Sequence, residues 1–122
     1  MAKTILIVDD STTLRQVVRM TLAGAGYEVL EAGNGKEALD MLDGRKIHLI
    51  ISDVNMPQLD GISLLKHIKQ LPQYKFTPVI MLTTESADEK KREGKEAGAK
   101  AWVIKPFQPP VLLTAVSKLI LP

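Results

Sequence analysis

The chain has 122 residues, enough for one compact domain that hides about two-thirds of the surface its unfolded form exposes, and its 16 basic against 14 acidic residues leave a formal charge of +2. So slight a bias gives no nucleic-acid footprint. No cysteine is present, which removes disulfides, thiolate metal sites and a cysteine nucleophile together and agrees with a reducing, cytoplasmic setting.

In chain order, the first residues, MAKTILIVDD, lack the apolar length of a signal peptide, and no apolar run approaches the roughly 20 residues of a membrane span, so no membrane insertion is expected. A β-branched run over 4–8 stops at Asp9. Further strand-length apolar runs lie at 27–31, 47–52, 78–82 and 101–105. They are continuous instead of alternating, the pattern of parallel strands covered on both faces.

Between them the spacing is helical. Leu14, Val17, Val18 and Leu22 form one stripe, closed by Gly24 and Gly26, and Ala38, Leu39 and Leu42 form a second, closed by Gly44. Ile62, Leu65, Ile68 and Leu71 come after Asp60-Gly61 and stop at Pro72. Leu112, Ala115, Val116 and Leu119 open with Pro109-Pro110, which a first helical turn tolerates. The segment 86–97, with DEKKREGKE and Gly94, has little apolar face beyond Ala87 and Ala97, so a weakly held helix is predicted, either a solvated face or a partner surface.

An open parallel α/β sheet binds ligands beyond the carboxyl ends of its strands. The residues there are Asp9 and Asp10 after the first run, Asp53 after the third, Thr83 and Thr84 after the fourth, and Lys105-Pro106 at the end of the fifth. Three mutually repelling carboxylates make sense around a hard dication, and an open oxygen-only site that also admits a phosphate suits Mg²⁺ better than a Ca²⁺ cage. The first run does not lead into a phosphate-cradling glycine loop, since Asp9 and Asp10 repel an anion unless a metal intervenes, and Gly24-Ala25-Gly26 leads into a strand instead of out of one. Asp53 is then the expected phosphoryl acceptor, with Mg²⁺, Lys105 and the Thr83 hydroxyl as partners for the added charge. Each residue alone has a plainer role: Asp10 or Ser11 as a helix N-cap, Asp53, Thr83 or Thr84 in a turn, Lys105-Pro106 at the start of a loop. His48 and His67 have no partner at metal-ligand spacing and read as surface or boundary residues.

Together ILIVDDS at 5–11, DVNMPQLDG at 53–61, VIMLTTE at 79–85 and AKAWVIKPF at 99–107 resemble the receiver domains of two-component response regulators, and the stand-alone chemotaxis CheY-type members most closely. The resemblance covers the whole chain. It implies a doubly wound, flavodoxin-like five-stranded parallel sheet of order 2-1-3-4-5. It further implies Asp53 as phosphoacceptor, Asp9 and Asp10 as the Mg²⁺-binding acidic pair, and Asn55 as the donor of a main-chain carbonyl to the metal. Thr83 matches the switch hydroxyl, Lys105 the phosphate-contacting lysine and Pro106 a cis proline, while Asn55 and Glu85 match positions that tune dephosphorylation. Trp102 departs from the usual Tyr or Phe of the rotating aromatic, so it is either a switch or a packing residue.

On this resemblance a histidine kinase supplies the phosphoryl group, a phosphatase is a further possible partner, and a target meets the fourth helix, fifth strand and fifth helix, where Leu113 and Leu121 are expected to be exposed. With the sequence ending at Pro122, immediately after the last helix, residues 1–122 read as a single receiver domain without an output domain, a switch and not an enzyme on other substrates. Two alternatives stand beside this reading. A haloacid-dehalogenase-type phosphohydrolase also pairs Asp, Mg²⁺, Ser or Thr and Lys, but carries a second Asp where this chain has Asn55. A non-phosphorylated interaction module of the same fold would lack some of the carboxylates or the lysine.

Overall fold

The computed structural model describes residues 2–54, 56, 59–83, 88–105 and 108–120, with the backbone alone for 88–91. Strands and helices alternate through it: β1 Thr4–Val8, α1 Thr12–Gly24, β2 Glu28–Ala32, α2 Gly35–Met41, β3 Leu49–Asp53, α3 Gly61–Gln70, β4 Val79–Thr83, α4 Asp88–Glu96, β5 Ala101–Ile104 and α5 Pro109–Leu119. The strands form one parallel sheet of order β2-β1-β3-β4-β5, as expected.

The continuous apolar runs are explained by burial on both faces. Ile5, Ile7, Leu49, Ile51, Ile80 and Leu82 meet Val18 and Leu22 of α1 and Leu112 and Val116 of α5. Leu6, Val8, Ile50, Val79 and Met81 meet Ala38 of α2 and Ile62, Leu65 and Ile68 of α3 on the other side. Every residue of β3 and β4 is buried. That places β1, β3 and β4 at the centre, with their carboxyl ends at one rim.

Local signals set the helix ends. The Ser11 hydroxyl accepts the Leu14 N–H at the start of α1, and the Asp60 carboxylate accepts the Ser63 N–H at the start of α3. After α1, Gly26 takes φ +95°, the left-handed conformation that lets the chain turn back into β2.

Several predicted boundaries move. The runs 27–31, 47–52 and 78–82 become strands shifted one or two residues toward the carboxyl end: Ala32 pairs with Val8 at the end of β2, and Asp53 pairs with Leu82 past the apolar stretch of β3. The fifth strand stops at Ile104, although the Lys105 N–H still donates to the Thr83 carbonyl at 2.7 Å. Helix α2 ends at Met41 instead of reaching Gly44, which lies at φ +109° in the following turn. Val17, expected on the buried stripe of α1, is exposed, while Leu64, outside the expected α3 stripe, is fully buried. Leu113 is half-buried against the α1–α5 core and not exposed, whereas Ile104 and Val111 are exposed; Leu121 lies outside the described residues. No described helix is long and apolar enough to cross a membrane.

Candidate phosphoryl and metal site

The three carboxyl groups picked from the sequence converge. One oxygen each from Asp9, Asp10 and Asp53 lie within 4.8 Å of one another. Asp9 and Asp53 are buried, and Asp10 stands exposed at the mouth. They come together because β1 and β3 are neighbours in the sheet: Val8 pairs with Ser52, so Asp9 and Asp53, the next residue along each chain, stand at the same height.

Lys105 reaches into this cluster from the end of β5. Its ammonium lies 3.1 Å from Asp9 Oδ2 and 3.2 Å from Asp53 Oδ1. The other Asp9 oxygen, Oδ1, accepts the Ser11 N–H at 2.8 Å. Thr83 is fully buried at the end of β4, one residue beyond the Leu82 that pairs with Asp53. Four separate strand ends thus deliver Asp9, Asp53, Thr83 and Lys105 to one rim.

The donor set is all oxygen, open on the Asp10 side, with three carboxyl groups and the Lys105 ammonium in contact with two of them. That chemistry fits a hard dication such as Mg²⁺, which keeps waters and takes one or two carboxylates. Asn55, Thr84, Glu85, Pro106 and Phe107 lie outside the described residues, so the roles expected of Asn55, Glu85 and Pro106 rest on the motif alone.

Trp102 is half-buried on β5, paired with Met81 across the ladder, and its ring packs against Gly94 of α4. His67 is exposed, as expected. His48 does more than mark a boundary: its Nδ1 accepts the Thr4 N–H at 2.9 Å, while its own N–H donates to the Thr4 carbonyl at 2.8 Å, extending the β1–β3 pairing one residue before β3 starts.

Two residues beside the site were given no role of their own in the sequence reading. Gly61 opens α3 directly against the end of β3: an added Cβ would overlap the Asp53 carbonyl oxygen, and the Gly61 N–H donates to the Val54 carbonyl at 2.8 Å. The Asp60-Gly61 pair hinted at a turn, not at this close approach. Arg15, one turn into α1, donates from Nη1 to the Asp9 carbonyl.

Comparisons with known proteins agree with this geometry. The family model for the response regulator receiver domain matches residues 5–117. Chemotaxis protein CheY1 of Helicobacter pylori is 40% identical over 110 residues, covering 88% of this chain and 89% of that protein. The solved structure of the chemotaxis response regulator CheY4 of Vibrio cholerae superposes with a TM-score of 0.92 at 47% identity, covering 98% of this chain and 99% of that one. Transcriptional regulatory protein SrrA of Staphylococcus aureus is 34% identical over 98% of this chain but only 48% of its own length. A matching family model over nearly the whole chain, on a 2-1-3-4-5 parallel sheet with an acidic rim, leaves no place for the haloacid-dehalogenase alternative, and the chain belongs to the response regulator receiver domain family.

Proposed function

We propose that this receiver is switched by phosphorylation of Asp53, with Mg²⁺ held by Asp9, Asp10 and Asp53. The observation that carries the reading is the convergence of three carboxyl groups and the Lys105 ammonium on one rim, with Asp53 buried between strand and lysine. A non-phosphorylated module has no need of that arrangement. An Asp53 oxygen attacks the phosphorus of a kinase phosphohistidine, the P–N bond breaks and the imidazole leaves with its electron pair. When bound, Mg²⁺ offsets charge on the phosphoryl oxygens. Lys105 exchanges its contact with the Asp53 carboxylate for one with the phosphoryl group, and the buried Thr83 hydroxyl is the switch donor from β4. By the motif, Asn55 would offer its main-chain carbonyl to the metal, Asn55 and Glu85 would tune hydrolysis, and Pro106 would orient Lys105.

Residues 1–122 act as one receiver domain, in the cytoplasm, within chemotaxis signalling. A histidine kinase is the donor, a phosphatase the resetting partner, and a target protein reads the face of α4, β5 and α5. That face carries the exposed Ile104 and Val111 and a groove of about 530 Å³ lined by Trp102, Val103 and Pro110, with Lys100 and Lys118 beside it. No nucleic-acid ligand is part of this reading.

Intact-mass analysis after incubation with acetyl phosphate and Mg²⁺ tests it. The expected result is the addition of one phosphoryl group to the wild type and none to Asp53→Asn. Equal labelling of the two would remove Asp53 as the acceptor.

A further inference from the structure

The position of the Asp9 carboxyl depends on a short link, since β1 ends at Val8 and α1 begins at Thr12. The Asp9 N–H still belongs to the sheet edge, donating to the Ala32 carbonyl at 3.1 Å. Its carbonyl is the first to leave the ladder, and a carbonyl in so buried a residue needs a partner. Arg15 supplies one, with Nη1 2.5 Å from the Asp9 oxygen. The same guanidinium faces Glu31 of β2, Nε to Oε1 at 3.4 Å, and Glu31 is in turn held by Arg19 at 2.9 Å. Arg15 is mostly buried, with 18% of its side chain exposed, whereas Arg19 is open to solvent.

Asp9 is therefore held from two sides. Lys105 and the Ser11 N–H fix its carboxyl, and Arg15 fixes its main chain against β2. A planar guanidinium can bridge a carbonyl and a carboxylate at once, where an ammonium on a flexible stem reaches only one with good geometry. Partners that orient a metal ligand in this way commonly matter for affinity nearly as much as the ligand does.

We propose that Arg15, braced by Glu31, is a positioning residue for Mg²⁺ capture, fixing the link that carries Asp9 and Asp10 so that their carboxyls meet that of Asp53. This rests on the reading of the acidic cluster as the Mg²⁺ site. The sign of the effect separates positioning from charge. A cation near the site repels Mg²⁺, so a purely electrostatic Arg15 would tighten binding when neutralised. A positioning Arg15 weakens it.

The experiment is a calorimetric Mg²⁺ titration of wild type, Arg15→Met and Arg15→Lys, with circular dichroism as the folding control. Wild type binds one Mg²⁺. Arg15→Met raises the dissociation constant roughly 10-fold, and Arg15→Lys, which keeps the charge but not the bridge, falls between the two. At saturating Mg²⁺ the Arg15→Met protein regains wild-type labelling by acetyl phosphate, which a generally damaged protein would not. Unchanged or tighter binding by Arg15→Met overturns the proposal. Should Arg15→Met fail to fold, wild-type affinity in Arg15→Lys overturns it. Absence of Mg²⁺ binding by the wild type would instead sink the metal reading itself, and this proposal with it.

Discussion

The indole of Trp102 lies across Gly94 so closely that a Cβ at position 94 would stand 2.6 Å from ring atom Cζ3. Helix α4 has almost no apolar face of its own, and here the strand brings a large ring to its backbone instead. The missing side chain is what makes room. Gly94→Ala should gain helix propensity but force the ring off its seat, for a net loss of about 1 kcal/mol and a shift in tryptophan emission. Chemical denaturation and fluorescence check both. An unchanged spectrum would mean that the ring is not seated there.

The same contact bears on switching. If Trp102 takes part in the switch, a ring anchored on α4 favours the unphosphorylated arrangement, and the response depends on what each state gains by contact with it. Trp102→Tyr, with less area against Gly94, is expected to enlarge the rise in target affinity on activation. Affinity with and without beryllofluoride, measured for both proteins, tests this, and equal gains would assign Trp102 to packing alone.

Lys105 touches both buried carboxylates, so its removal takes away the ammonium that Asp9 and Asp53 share. Lys105→Ala should lose about 2 kcal/mol of stability without metal, less than a closed buried pair would cost because the mouth is open. Mg²⁺ should recover a large part of that loss while target binding stays unresponsive to phosphorylation. Urea denaturation with EDTA and with Mg²⁺ gives the comparison. A loss that Mg²⁺ does not reduce would separate the lysine from the metal site.

Asp10 is the exposed member of the cluster, so it contributes repulsion without a packing role. Asp10→Ala should weaken Mg²⁺ binding strongly yet raise metal-free stability by about 1 kcal/mol. A Mg²⁺ titration identical to wild type would take Asp10 out of the site.

His48 gives a pH signature remote from the rim. Burial, with Lys3 and Lys46 nearby, holds its imidazole below the ordinary 6.5. The unfolded chain therefore takes up the proton first as pH falls, and the contribution to stability is whole above 6.5 and lost as pH drops through the lower folded value. Protonation also removes the acceptor for the Thr4 N–H. His48→Asn, which keeps an acceptor but does not titrate, should flatten the stability curve between about pH 7 and pH 5. Parallel curves for the two proteins would count against the linkage.

The rim was readable in the sequence because continuous apolar runs end where the chemistry begins: Val8 then Asp9, Ser52 then Asp53, Leu82 then Thr83, Ile104 then Lys105. A parallel sheet turns those separate punctuation marks into one place. Arg15 and Gly61 were not readable, since one acts on a main-chain carbonyl and the other by lacking a side chain, and neither depends on a spacing pattern. Val17 and Leu113 were misjudged because a helical stripe does not say where the neighbouring helix stops covering it. Gly94 looked like a flaw in α4, and only the chain eight residues later explains it.

The opposite end of the sheet is tied differently. Before β3 and β4, the Tyr74 hydroxyl accepts the Gly44 N–H at 2.9 Å and donates to the Arg45 carbonyl at 2.7 Å, and Gln73 Nε2 donates to the Gly44 carbonyl at 2.7 Å. Lys69 bonds the Lys75 and Thr77 carbonyls at 3.1 and 2.8 Å. These bonds fasten the loops entering the two central strands, while the links leaving the strands meet an exposed, charged rim. Rearrangement at that rim then has a fixed heel to work against, and amide exchange along β3 and β4 should be slowest near their entry and quicken toward Asp53 and Thr83.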